Sequence, residues 1–337
     1  MYEPKRVLVT GGSGFIASHI IDLLISHGYF VLNVDVLSYC SSLENNRLVK
    51  NSPLYQFVQG DIQDTNFMRF LLDNYSIDTV IHAAAQTHVD NSFGNSIEFT
   101  KHNVLGTHCL LEAARVYGKV QRFIHVSTDE VYGTTTMEGD AWSENAVLKP
   151  TNPYAATKAA AEMLVHAYRT SFGLPIIITR GNNVYGPRQF PEKLIPKFIH
   201  QLSKGHPCTL HGEGESLRHF IYCTDVAEAF LCILRKGVVG ETYNIGCEEE
   251  VSVKEMASLL KNLVDPTRED YLVYVEDRAF NDLRYPVDVS KLGELGWSKK
   301  IEIEEGLKMT LKWYNEIEEN YWPATSLDKL LAAHPSF

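Results

Sequence analysis

Three polar residues in succession, Thr128-Asp129-Glu130, close an apolar run that includes Phe123, Ile124 and Val126. Such a run reads as a central strand of a parallel sheet, and ligands in open α/β sheets collect beyond the carboxyl ends of the strands. A hydroxyl and two carboxyl groups would therefore emerge together into a site. Adjacent carboxylates suit a division of labour, because burial and like charge keep one protonated as an acid while the other stays available as a base. Tyr154 and Lys158 stand four apart in Tyr154-Ala-Ala-Thr-Lys158 and share a face if that stretch is helical. A phenol ordinarily ionises near pH ~10, and positive charge beside it would bring it toward neutral pH as a base. Lys158 is the candidate source of that charge. Tyr-x-x-x-Lys also occurs on plain solvated helix faces, and an Asp-Glu pair at a strand end can simply cap the next turn, so these five residues argue as a set.

The elements that must position them begin at the amino terminus. Arg6 to Thr10 (RVLVT) is a short apolar strand, followed at once by Gly11-Gly12-Ser13-Gly14-Phe15-Ile16-Ala17. Small residues at 11, 14 and 17 let the backbone turn tightly, approach a pyrophosphate and pack a helix closely on the strand. The free N–H groups of the first helical turn, at Phe15 and Ile16, would meet the phosphate. A glycine-rich turn alone would mean little. Asp35 strengthens it by closing the second strand, Phe30 to Asp35, where a carboxylate hydrogen-bonds an adenosine ribose diol and repels a 2′-phosphate; this favours NAD over NADP. Tyr55 to Val58 forms a third strand leading to Gly60-Asp61-Ile62, whose polar group reaches toward the adenine edge. Thr79 to His82 forms a fourth, and the small residues Ala83 to Ala85 after it permit close backbone approach to a dinucleotide.

A helical stretch from about Ser96 to Tyr117 precedes the central strand, and another from about Pro153 to Phe172 follows it. The second is apolar nearly all round, so it needs cover from its own sheet and from something else, either a second subunit or an internal layer. Ile176 to Thr179 continues the alternation of strand and helix, which predicts a Rossmann-like, doubly wound parallel sheet. After Arg180 to Pro187 the alternation weakens. A smaller α/β substrate-binding domain is expected over residues 181–320, beside a dinucleotide domain of 1–180 to which a segment near 219–245 returns. Tyr243 to Gly246, Arg278 to Tyr285 and Trp297 read as loops and short elements. A tail is expected over 321–337.

With 337 residues, 45% of them hydrophobic, the chain can bury a large core. A net charge of −11 argues against nucleic acid as a partner. The six cysteines form no Cys-x-x-Cys pair, which suits free thiols in a reducing compartment. No apolar run approaches the ~20 residues that span a bilayer, so a soluble, cytoplasmic protein without a membrane partner is expected. The thirteen histidines lack metal-ligand spacing, and no metal is expected.

Together TGGSGFIAS, Asp35, GDI, AAAQTHVD, VSTDEVYG, YAATK, RGNNVYGP and DLRYP resemble the extended short-chain dehydrogenase/reductase family, and within it the nucleotide-sugar 4,6-dehydratases. The resemblance runs from about Arg6 to Tyr314. The segment THVDNSFGNSIEFTKHN is most similar to the UDP-glucose 4,6-dehydratase modules of UDP-rhamnose synthesis. Related 4-epimerases lack the Asp-Glu pair.

The resemblance implies roles. Tyr154 takes the proton of the sugar 4-hydroxyl while C4 gives hydride to NAD⁺; Glu130 removes the acidified C5 proton; Asp129 protonates the departing 6-hydroxyl. Thr128 holds the 4-oxygen, and Lys158 binds the nicotinamide ribose. For the substrate it points to Asn183, Arg218 and Arg284 at the phosphates, to Lys193 and Leu194 near the nucleoside, and to Asp90 and Ser92 in the hexose pocket. It also implies a homodimer built on the two helices named above. UDP-glucose is the expected substrate. A dTDP-glucose dehydratase, a 4-epimerase and a catalytically silent NAD-binding regulator remain alternatives.

Overall fold

A computed structural model describes residues 1–277, 282–318 and 321–322. Apart from Tyr321 and Trp322, the expected tail lies outside the described residues, as does the stretch from Arg278 to Asn281.

Seven strands form one parallel sheet. In chain order they are β1 (Arg6–Thr10), β2 (Phe30–Asp35), β3 (Tyr55–Gln59), β4 (Thr79–His82), β5 (Arg122–Thr128), β6 (Ile176–Gly181) and, after the three short strands β7 (Asn183–Tyr185), β8 (Cys208–His211) and β9 (Leu217–Tyr222), β10 (Thr242–Ile245). Across the sheet they run β3-β2-β1-β4-β5-β6-β10, and every neighbouring pair is parallel. The order reverses between β1 and β4, the switch point at which ligands bind such sheets. Helices cover both faces. On one side α1 (Phe15–Ser26) packs beside the later helix α8 (Cys223–Lys236), burying Ile20, Ile21, Leu24, Phe230 and Ile233 with Val7 and Val9. On the other, α2 (Thr65–Asn74), α5 (Gly106–Tyr117) and α6 (Pro153–Phe172) bury Met68, Leu72, Leu111 and Val165 against Leu8, Val80 and Phe123. Each such side chain contributes about 1.5–3 kcal/mol on leaving water.

The remaining strands, β7 and β9 with β11 (Glu250–Ser252), form a three-stranded sheet, while β8 pairs with β12 (Leu272–Val275). Helices α7 (Leu194–Ser203) and α9 (Val253–Val264) close a separate core around Phe198, Leu210, Met256 and Leu260.

Two expectations are corrected. The stretch Tyr243 to Gly246, read as lying outside the repeat, supplies β10, the seventh strand; at four residues it is too short for a period to register, and its place is set by pairing with β6. The stretch Ser96 to Tyr117 is also not one regular helix. After α3 (Val89–Gly94), a single turn α4 (Ser96–Phe99) widens into a π-helical segment over Thr100–Leu105 before α5 begins. The widened turn sets Asn103 inward, where its side chain accepts from Gln86 N–H (2.8 Å) and donates to the Gln86 carbonyl and the Thr157 hydroxyl (3.0 Å each).

Behind the sheet's carboxyl edge, His82 pairs with the hydroxyls of Thr10 (2.8 Å) and Thr107 (2.9 Å), tying β4 to β1 and α5. Burial first, and then the Lys158 charge, push it down to about 3, so it is neutral there. Among the described residues no three His, Cys, Asp or Glu side chains are grouped to hold a metal. No helix among them is long and apolar enough to cross a membrane.

Candidate functional site

A cavity of about 460 Å³ follows the carboxyl edge of the sheet from β2 to β6 and passes under the second core. Its coenzyme-like end is built from backbone. Gly11 takes φ +68°, and a Cβ there would lie 2.8 Å from the Ala84 backbone, so β1 can turn beside β4 only with glycine. The first turn of α1 follows from Gly14 without a side-chain cap, which leaves the N–H groups around Phe15 and Ile16 on the cavity wall. Asp35 ends β2 with one carboxylate oxygen accepting from Ser13 N–H (3.0 Å) and the other from Leu37 N–H (2.7 Å) and the Ser41 hydroxyl (3.2 Å). Asp61, Ile62, Ala83 and Ala85 line the same end. A narrow backbone cradle, a helix amino terminus and a fixed carboxylate fit a dinucleotide's pyrophosphate and ribose.

At the other end the working groups are side chains. β5 delivers Thr128, Asp129 and Glu130, while Asn152 caps the amino terminus of α6, accepting from Ala155 N–H (2.8 Å), with Pro153 at its first position. That start places Tyr154 and Lys158 on the cavity wall. Asp129 is buried; its Oδ2 accepts from the Asn182 amide (2.7 Å) and its Oδ1 from the Thr128 hydroxyl (3.1 Å). Burial, and secondarily the charge of Glu130 against the opposing Asn182 bond, push its carboxyl up to about 7. Glu130 accepts from the Asn152 amide (2.9 Å), and burial also raises it above the ordinary carboxylate range. The two carboxyl groups therefore differ in partners and in depth.

Lys158 and Tyr154 both line the cavity. The Lys158 ammonium donates to the Val126 carbonyl at 2.6 Å, and burial pulls it down to about 8. Tyr154 is pushed above the ordinary phenol range, first by burial and then by the Glu130 charge; the hydrogen bond from Thr128 opposes this. Burial of the phenol is the larger effect.

Asp90, Asn183, Lys193, Leu194 and Arg218 line the cavity. The Lys193 ammonium donates to the Thr87 carbonyl (2.8 Å), bridging the two parts of the chain across the opening. Arg218 lies over the Tyr285 ring at 4.8 Å, and the buried Nδ2 of Asn183 has no hydrogen-bond partner. Two expected residues are elsewhere. Arg284 pairs bidentately with Glu250 (2.7 and 2.9 Å) and donates to the carbonyls of Met137 and Gly139, off the cavity wall. A guanidinium so engaged is a structural clasp. Ser92 is buried behind the wall and donates to the Val89 carbonyl at 2.6 Å. Conversely, Asn152, Asn182, Glu192 and Tyr285 line the site unforeseen. Only Asn152 carried a local signal, as a capping residue before a proline.

A family model described as GDP-mannose 4,6 dehydratase matches residues 8–310. A trifunctional UDP-glucose 4,6-dehydratase/UDP-4-keto-6-deoxy-D-glucose 3,5-epimerase/UDP-4-keto-L-rhamnose-reductase of Arabidopsis thaliana is 51% identical over 337 residues, covering 99% of this chain and 50% of the relative. The chain thus spans about half the length of that relative. A Homo sapiens dTDP-D-glucose 4,6-dehydratase is 47% identical over 338 residues, covering 98% of this chain and 95% of the relative. Among solved structures, a dTDP-glucose 4,6-dehydratase of Streptomyces venezuelae with NAD bound superposes with a TM-score of 0.89 at 37% identity, covering 94% of this chain and 99% of that one. With the glycine cradle, the Asp-Glu pair and the Tyr-Lys helix in one cavity, the chain belongs to the GDP-mannose 4,6 dehydratase family of nucleotide-sugar-modifying enzymes.

Proposed function

We propose that this chain is an NAD-dependent 4,6-dehydratase that converts UDP-glucose to UDP-4-keto-6-deoxyglucose, the precursor of UDP-rhamnose or a related deoxysugar. The observation that carries the reading is the pair of inequivalent carboxyl groups beside Tyr154, Asp129 buried and Glu130 half-buried. Residues 1–180, with 219–245, serve the coenzyme and 181–320 the nucleotide sugar.

NAD⁺, when bound, accepts hydride from C4 and returns it to C6. Gly11, Gly14, Phe15 and Ile16 would hold its pyrophosphate and Asp35 its adenosine ribose. Tyr154 removes the 4-hydroxyl proton, with Thr128 hydrogen-bonded to it and favouring the phenolate. Glu130 then takes the proton from C5, which the 4-carbonyl acidifies. Asp129, whose carboxyl burial pushes up to about 7, gives its proton to the 6-oxygen, and the C6–O bond breaks to release water. Asn183 and Arg218 serve the diphosphate, the former through its unpartnered amide, and Lys193 and Leu194 lie nearer the nucleoside.

The relative at 51% identity acts on UDP-glucose by name and the one at 47% on dTDP-glucose, which supports UDP over dTDP as the nucleotide read. Incubation with each sugar nucleotide, followed by mass spectrometry and kcat/KM, tests both levels. Dehydration removes one water whereas epimerisation leaves the mass unchanged, and a dTDP-glucose value at or above that for UDP-glucose would reject the nucleotide assignment alone.

The enzyme works as a homodimer in this reading. Ile97 (68% exposed), Leu105, Met163 (54%) and Phe172 leave apolar surface on α4, α6 and the turn between α4 and α5. Met163→Glu should shift light scattering from dimer toward monomer; an unchanged mass would reject this interface. Six unpaired cysteines support a reducing, cytosolic setting.

A further inference from the structure

Asn182 follows β6 directly and is buried between two parts of the chain. Its backbone N–H donates to the Ile245 carbonyl at 2.9 Å, and its side-chain Oδ1 accepts from Cys247 N–H at 3.1 Å. A backbone amide can only donate, so this contact settles the orientation of the Asn182 amide. Its NH₂ must face the other way, and there it donates to Asp129 Oδ2 at 2.7 Å. The fit leaves no play: a Cβ at Gly246 would come within 1.9 Å of Asn182 Oδ1.

The oxygen bearing the proton of a carboxylic acid is a poor acceptor, and the carbonyl oxygen is the good one. A short amide bond to Oδ2 therefore keeps Oδ2 as the carbonyl oxygen whenever Asp129 is neutral. Oδ1 is left to carry the proton, beside the Thr128 hydroxyl at 3.1 Å. Thr128 has one proton to give. While Asp129 is ionised, Thr128 donates to Oδ1; once Oδ1 is protonated and donates to Thr128, the threonine hydroxyl is released toward Tyr154, with which it also bonds.

We propose that Asn182 is a positioning residue that, steered by the Cys247 backbone, fixes the acidic proton of Asp129 on Oδ1, the oxygen next to Thr128. The proposal rests on the reading of Asp129 as the acid of the elimination step. The groups facing Asp129 are Glu130 from its own turn, Tyr154 from α6, Arg218 from β9 and Tyr285 from the later loop. Glu130 opposes ionisation of Asp129, and Arg218 and the Asn182 amide favour it. Removing the amide should raise the acid's ionisation point further, so the loss of elimination on the alkaline side should move to higher pH.

Asn182→Leu and Asn182→Asp test this, the aspartate keeping an acceptor for Cys247 N–H. Single turnovers with UDP-glucose and with dTDP-glucose would follow NADH absorbance, whose rise reports C4 oxidation and whose decay reports elimination and hydride return. Both variants should oxidise C4 within about twofold of the parent and eliminate water tenfold or more slowly, with KM little changed. In Asn182→Leu the alkaline limb of the elimination rate should shift upward. Equal slowing of both phases with an unmoved pH profile would overturn the proposal and mark Asn182 as a structural support. A parent that dehydrates, loses elimination in Asp129→Asn and tolerates both Asn182 variants would overturn it while leaving the acid assignment intact. A parent that dehydrates neither sugar nucleotide would remove the functional reading and this inference together.

Discussion

The two ends of the cavity are built on different principles. At the coenzyme-like end the ligand-facing groups are backbone N–H donors and one carboxylate, Asp35, clamped by two backbone amides and a serine, all between Gly11 and Ser41. At the other end they are side chains, and the two carboxyl groups are each held by an amide side chain from further along: Glu130 by Asn152 and Asp129 by Asn182. Backbone binding is sequence-tolerant apart from glycine and yields a fixed cradle. Side-chain holding lets two adjacent carboxyl groups have different environments, which acid and base chemistry at one place requires. The first end should therefore fail through backbone strain and the second through lost chemistry at intact fold.

The sharpest contrast comes from Glu130→Gln. With the C5 base gone, 4-keto-6-deoxy product should fall about 10²–10⁴-fold while transient NADH still forms. Product at the parental rate, with normal deuterium incorporation from solvent at C5, would reassign the base. At the opposite end Gly11→Ala forces a side chain into φ +68° against Ala84, an effect of about 1–3 kcal/mol. The variant should purify with less NAD and melt lower; full retention of coenzyme by chromatography of the heat-released ligand would break the cradle argument.

A pH experiment tests the Asp129 carboxyl by stability. Asp129 titrates near 7 in the folded chain against about 3.9 for an unperturbed aspartate. The folded state holds this proton more tightly, so the group's stabilisation is complete below about pH 4 and is lost as pH rises through about 7. Asp129→Asn abolishes that loss. Its melting temperature relative to the parent should rise from pH 5 to pH 8, and a constant difference would mean that Asp129 is already ionised at the lower pH. The smallest effect is expected from Arg284→Ala. Its clasp on Glu250 lies off the cavity, so KM for the sugar nucleotide should stay within about twofold while the melting temperature drops; Arg218→Ala should raise KM about tenfold or more. A large KM change in the first would return Arg284 to the site.

Most of the sheet was legible because its strands are continuous apolar runs bounded by glycine and polar turns, as β1, β2 and β4 illustrate. The glycine cradle was legible for the same reason, since all its determinants are local. What escaped depends on distance along the chain. Asn182 is an ordinary polar residue after a strand until Asp129 and Cys247 are brought to it, and Arg284 looks like any other phosphate-seeking arginine until Glu250 is seen opposite. The widened turn at Thr100–Leu105 spans only six residues, too few for a change of period to register in the sequence. The upward displacement of Tyr154 was also hidden, because a sequence shows the charge of Lys158 but not the depth of the phenol.

The edge strand β10 has a consequence for how the enzyme comes into being. Synthesis delivers β1 through β6 well before Thr242–Ile245, yet only the turn after β10 brings the Cys247 amide to Asn182. A nascent chain that has reached Tyr185 already contains Gly11, Gly14 and the stretch from Thr128 to Lys158, but not the Cys247 amide that meets Asn182. Domains emerging from the ribosome tend to acquire structure from the amino terminus onward. Because the Cys247 amide and α8, which covers α1, both follow Tyr185 in the chain, the two ends of the cavity can be completed only after the later part of the sheet has been made.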